Sequence, residues 1–96
     1  MRDIYLVSYD IADKKRLRKV YKKMRGYGDA LQYSVFWCEL SSLEREKLLT
    51  ELLKLINNKE DRVMMAKLGP IEGKAKEAVQ FFGAPLERPG VVPVVV

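Results

Sequence analysis

The chain predicts an α+β fold, and three observations carry the prediction. Short runs of β-branched and aromatic residues alternate in polarity, two segments carry apolar residues at helical spacing, and runs and segments interleave along the sequence. With 96 residues one domain is expected, and about two-thirds of the unfolded surface can be buried. A composition 48% hydrophobic and 32% charged belongs to a globular chain rather than a disordered one.

Ile4 to Tyr9 is β-branched and aromatic, too short for a helix, and ends at a charged cluster, so it reads as a strand. From Asp13 the period changes. Leu17, Val20, Tyr21 and Met24 fall on one helical stripe, Asp13 is placed as N-cap, and "GYG" at Gly26 to Gly28 supplies a stop. "LQYSVFWCEL", Leu31 to Leu40, carries large apolar residues on both faces and wants cover on both sides.

"SSLE", Ser41 to Glu44, matches a capping box. Leu48, Leu49, Leu52, Leu55 and Ile56 then continue a second helix until Asn57 and Asn58. "DRVMMAKLG", Asp61 to Gly69, reads as a third strand. The segment after Pro70 reads as a short helix followed by a fourth strand at Ala78 to Phe82. These elements form a domain over residues 1–82, and 83–96 is a tail with Pro85, Pro89 and Pro93. Val91 to Val96 reads either as an edge strand reaching another subunit or as an unstructured end.

Taken in order, the elements suggest a split βαβ sheet with both helices on one face. A ferredoxin-like β-α-β-β-α-β scheme needs one more strand between the helices, which Leu31 to Leu40 supplies if it bends into two. Helices on one face leave the other face bare, and a twofold dimer with sheets face to face would bury it.

Lys and Arg number 18 against 13 Asp and Glu, a net charge of +5, so a polyanion is a reasonable partner, although the same charge also serves solubility. The absence of His excludes His-dependent catalysis. A single cysteine, Cys38, excludes an intrachain disulfide and a Cys-based zinc site within one chain. Arg2 and Asp3 interrupt any leader-like pattern and no run approaches the ~20 apolar residues of a membrane span, so a cytoplasmic protein with no membrane partner is expected.

Asp10 closes the first strand and faces a helix holding Lys14, Lys15, Arg16, Arg18 and Lys19. A turn or capping carboxylate is the plain reading. Paired across a twofold axis, however, two such carboxylates repel unless a proton or cation lies between them, and Mg²⁺ accepts oxygen ligands while keeping waters. Such an ion could acidify a water and offset charge building up on a phosphodiester. The helix cations would grip phosphates, with Arg16 and Arg18 nearest the strand end. Tyr9, Tyr33, Phe36 and Trp37 are aromatics that could stack on bases, with Phe36 placed among the nucleic-acid contacts; on strands of this alternation core or dimer packing is the plain reading, and Tyr9 is the exception by position.

The segments "YLVSYDI", "KRLRKV", "GYG", "LQYSVFWCEL" and "DRVMMAKLG", in that order from Met1 to about Leu68, resemble the smaller of the two universal CRISPR adaptation proteins, the partner of the CRISPR integrase. The resemblance implies a ferredoxin-like β-α-β-β-α-β homodimer with facing sheets and a last strand exchanged between subunits, for which Val91 to Val96 is the candidate. It also makes "QYSVFWCEL" one strand preceded by the turn. The implied function is a Mg²⁺-dependent endonuclease on RNA or double-stranded DNA, acting in spacer acquisition for antiviral defence. A non-catalytic DNA-bridging scaffold of the integrase complex and a ribonuclease of the virulence-associated D type are the alternatives. By resemblance Asp10 is the metal-binding acid, Tyr9 the aromatic before it, Arg16 and Arg18 the early helix arginines, and Phe36 the Phe of the second-strand motif. Ala30 stands where some nucleolytic members carry Arg, and the proline-rich tail departs from the family pattern.

Overall fold

The computed structural model describes residues 1–84. Strand β1 (Asp3–Asp10), helix α1 (Lys14–Arg25), strands β2 (Gly28–Gln32) and β3 (Val35–Leu40), helix α2 (Ser42–Leu55) and strand β4 (Arg62–Pro70) follow one another, and a single 3₁₀ turn spans Ala75–Ala78. The sheet runs in the order β2-β3-β1-β4, with every neighbouring pair antiparallel. This is the ferredoxin-like β-α-β-β-α-β layout: β1 sits centrally, and β3 lies between β1 and β2.

Each helix begins where side-chain chemistry can replace missing backbone acceptors. The Arg16 N–H donates to the Asp13 carboxylate at 2.9 Å, the N-cap expected of that residue. In α2 the Glu44 N–H donates to Ser41 Oγ at 3.1 Å and the Ser41 N–H donates to Glu44 Oε1 at 2.9 Å, completing the capping box. Lys22, Lys23 and Arg25 occupy the last turn of α1, where cations favour the helix dipole, and Gly26 closes the helix.

The core between helices and sheet joins Val20 and Met24 of α1, Leu48 and Leu52 of α2, and Tyr5, Val7, Tyr9, Phe36, Cys38 and Leu40 of the strands. Burial pushes the Cys38 thiol up to about 12, so it packs as a small apolar group.

Leu31 to Leu40 bends into two strands, as the layout required: Tyr33 and Ser34 form the turn between β2 and β3, with Ser34 at φ 66°, so the single strand implied by the resemblance for "QYSVFWCEL" is not formed. Two further expectations need correction. The second sheet face is not bare. Ile71, Ala75, Val79 and Phe81 pack across Ile4, Leu31 and Trp37, because the chain beyond β4 folds back over that face. Ala78 to Phe82 does not form a fourth strand; the 3₁₀ turn ends at Ala78, and only Phe81 makes an isolated bridge. Val91 to Val96 lies outside the described residues.

Candidate active site

The site grows from the carboxyl end of β1. Ser8 is the last β1 residue in register with β3, opposite Val35; the Tyr9 N–H then donates to the Ser34 carbonyl at 3.2 Å. Asp10 stands opposite Arg62 of β4, as the final pair of that ladder. Strand alternation turns Tyr5, Val7 and Tyr9 toward the helices, and Ile4, Leu6, Ser8 and Asp10 toward the opposite face. The structure therefore separates what the sequence set side by side: Asp10 and the cations of α1 lie on opposite faces of the sheet, and the cation directly across from Asp10 is Arg62.

The Asp10 side chain is exposed and makes no hydrogen bond or ion pair among the described residues. It shares a shallow recess of about 160 Å³ with Ser8, Tyr9, Arg62 and Met64. Its carboxylate keeps all its lone pairs for a ligand. Among the described residues no three His, Cys, Asp or Glu side chains converge. Mg²⁺ is commonly held by one or two carboxylates together with waters and substrate phosphates, and an exposed, unpartnered carboxylate fits that requirement.

Tyr9 lies on the other side of the same strand end. It is 6% exposed and stacks on Phe36 with ring centroids 6.2 Å apart and planes 27° apart. Burial, followed by the nearby phenols of Tyr21 and Tyr33, pushes its own phenol up to about 12. At neutral pH Tyr9 is a hydrogen-bond donor and not a base. Phe36 itself is wholly enclosed, with Tyr21 meeting it edge-on at 5.7 Å. The expectation that Phe36 contacts nucleic acid is corrected here: it supports the two tyrosines and has no surface to offer.

The loop that follows Asp10 is fixed by a residue that sequence reasoning did not single out. Asp61, directly before β4, accepts from the Ala12 N–H at 2.9 Å, the Asn57 N–H at 2.8 Å, Arg16 Nε at 2.8 Å and Arg16 Nη2 at 3.3 Å. Arg16 Nη2 also donates to Glu60 at 2.9 Å. The Asp61 side chain is entirely inaccessible, and the Arg16 guanidinium, with the two backbone N–H groups, holds its carboxyl down to about 2. Arg16 thus serves the fold, with its charge already met by two carboxylates. Lys14, Lys15, Arg18 and Lys19 are exposed along α1 and available to phosphates. No local spacing could reveal Asp61, because its arginine lies 45 residues away.

A ferredoxin-like sandwich whose central strand ends on an unpartnered carboxylate, with a cation-rich helix behind it, defines a small domain suited to polyanions. The family profile for CRISPR associated protein Cas2 matches residues 2–73. The chain is 48% identical over 68 residues to "CRISPR-associated endoribonuclease Cas2 1" of Rhodospirillum rubrum, covering 71% of this chain and 67% of that one. It is 37% identical over 95 residues to "CRISPR-associated endoribonuclease Cas2" of Geobacter sulfurreducens, covering 96% and 99%. The crystal structure of Streptococcus pyogenes Cas2 at pH 6.5 superposes with a TM-score of 0.66 at 30% identity, covering 78% of this chain and 92% of that one. The chain belongs to the Cas2 family. Among the described residues no helix is long and apolar enough to cross a membrane.

Proposed function

We propose that the chain is a CRISPR-associated endonuclease that acts as a homodimer during spacer acquisition, with Asp10 of each subunit directed at one shared Mg²⁺. The observation that carries this reading is the exposed carboxylate at the exit of the central strand, without a partner among the described residues and turned to the face away from the helices. Subunits meeting through the end of that face which the segment beyond β4 leaves open, where Met64 beside Asp10 is exposed, would bring their Asp10 carboxylates together, and a divalent cation would relieve the repulsion between them. When bound, the ion would supply Lewis-acid contact to a phosphodiester and a more acidic water.

The remaining roles fall to the chain's own groups. Asp10 holds the ion, Lys14, Lys15, Arg18 and Lys19 position phosphates by charge, and the Asp61–Arg16 pair keeps the loop after Asp10 in place. The names of the relatives support RNA as the substrate; double-stranded DNA is the other arm of the test. Full-length protein with and without Mg²⁺, beside Asp10→Ala and Asp10→Asn, is to be assayed on short RNA and on duplex DNA. Mg²⁺-dependent cleavage lost in both variants is expected; undiminished cleavage by Asp10→Ala would remove the mechanism.

A second reading is a non-catalytic scaffold that bridges duplex DNA and docks the CRISPR integrase subunit, resting on the exposed cations Lys14, Lys15, Arg18 and Lys19 of α1. Under it, spacer acquisition survives Asp10→Ala and fails when Lys14, Lys15 and Arg18 are neutralised together.

A further inference from the structure

We propose that the recess bounded by Tyr9, Tyr21 and Tyr33 is a pocket for one unpaired nucleobase of a single-stranded RNA, an assignment that rests on the nucleic-acid reading above. The recess measures about 250 Å³, room for one base, and is lined by Tyr9, Leu17, Arg18, Tyr21, Tyr33 and Ser34. It opens on the helix side of the strand end that carries Asp10, one residue from it along β1. A strand of RNA passing over that end reaches both.

Two of the walls are held by packing before any ligand arrives. Tyr9 is the floor, fixed by its stack on Phe36 and by the bond from its N–H to the Ser34 carbonyl. Tyr21 is the side wall, held edge-on by Phe36, with the Arg25 guanidinium carbon 5.9 Å from its ring centre. Tyr33 is the outer wall: it rides the β2–β3 turn beside Ser34, whose φ is 66°, and is 87% exposed. An aromatic at that exposure contributes little to the core, whereas a planar base beside it would gain a stacking face. Arg18 at the rim supplies charge for the adjoining phosphate.

The larger groove between α1 and α2 offers no such chemistry. Its lining of Lys19, Lys22, Lys23 and Lys47 with Glu44 and Glu51 has Tyr27 as its one aromatic, whose hydroxyl donates to Glu51 at 2.7 Å, so no pair of rings stands ready to sandwich a base.

The test is a binding titration of the full chain without divalent ions, using a short single-stranded RNA with a fluorescent purine analogue at one position. A second RNA, abasic at that position, serves as its control. The expected result is quenching on binding and about tenfold weaker affinity for the abasic RNA. Tyr33→Ala and Tyr21→Leu should each lose that preference, and Tyr33→Phe should keep it. Equal affinity of the parent for both RNAs would overturn the pocket. So would a Tyr33→Ala protein that keeps the base preference and changes its oligomeric state in size-exclusion chromatography, because the recess would then be a subunit contact. A parent that quenches normally yet never cleaves RNA with Mg²⁺ would remove the nuclease reading and uphold the pocket.

Discussion

Two aspartates flank the same end of the sheet and differ in nearly everything but their chemistry. Asp61 is inaccessible and takes hydrogen bonds from Ala12, Asn57 and Arg16; Asp10, one step away in the β1–β4 register, is exposed and takes none among the described residues. A carboxylate whose lone pairs are all engaged contributes rigidity, and it has no valence left for a substrate or an ion. One with its lone pairs open contributes nothing to the fold and can take a hard cation. The arginines divide the same way: Arg16 is bound into the fold, while Arg18 stands at the rim of a recess. At this strand end, function is read from what a charged group lacks.

The sharpest way to break this contrast is to remove each acid in turn. Asp10→Ala should lower cleavage at least about a hundredfold while changing unfolding free energy by less than about 0.5 kcal/mol, measured by initial rates and denaturant titration. Asp61→Ala should do the reverse in emphasis. Its thermal midpoint falls clearly below that of Asp10→Ala, because two backbone N–H groups and Arg16 lose their acceptor, and its cleavage falls about tenfold through the loosened loop. Equal midpoints for the two variants would show that Asp61 is no latch.

Acid offers a finer discrimination. The Asp61 carboxyl is held at about 2 in the folded chain against an ordinary 3.8. Its stabilisation is therefore full above the ordinary value and is lost as pH falls from about 4 toward 2. Over that window the parent's thermal midpoint should drop more steeply than that of Asp61→Asn, which has nothing there to protonate. The smallest expected effect belongs to the exposed cations. Arg18→Ala or Lys14→Ala should weaken RNA binding modestly and reduce the slope of log affinity against log salt by about 1 each. An unchanged slope for either would remove that residue from the phosphate contacts.

The regular elements were legible because their periodicity is strong. The stripe on α1, the capping box of α2 and the apolar runs of β1 and β4 each satisfy a local rule, and the structure places them within a few residues of expectation. That Leu31 to Leu40 bends into two strands was legible from the layout, which needs one more strand, but the place of the bend was not: its turn is Tyr33-Ser34, with neither Gly, Asn nor Asp to mark it, and apolar residues continue on both sides. Gly28 misled in the opposite direction. It reads as a helix stop but lies in β2, where a Cβ would come 2.3 Å from the Trp37 carbonyl oxygen and 2.6 Å from Cys38 Sγ. Of the candidate site, Asp10 and Tyr9 were legible because strand ends can be located. That they face opposite ways follows from alternation, but its use requires knowing which face the helices cover. Asp61, Arg62 and Tyr21 gain their roles only from partners distant in the chain.

The fold-back of the chain beyond β4 has an optical consequence. The protein carries a single tryptophan, Trp37, and it sits 2% exposed beneath that segment, its indole N–H donating to Glu39 at 3.1 Å. Peeling the segment away would wet the indole while leaving the helix-side core dry. The emission maximum of one native fluorophore thus distinguishes an uncovered sheet from a melted domain, with no label attached.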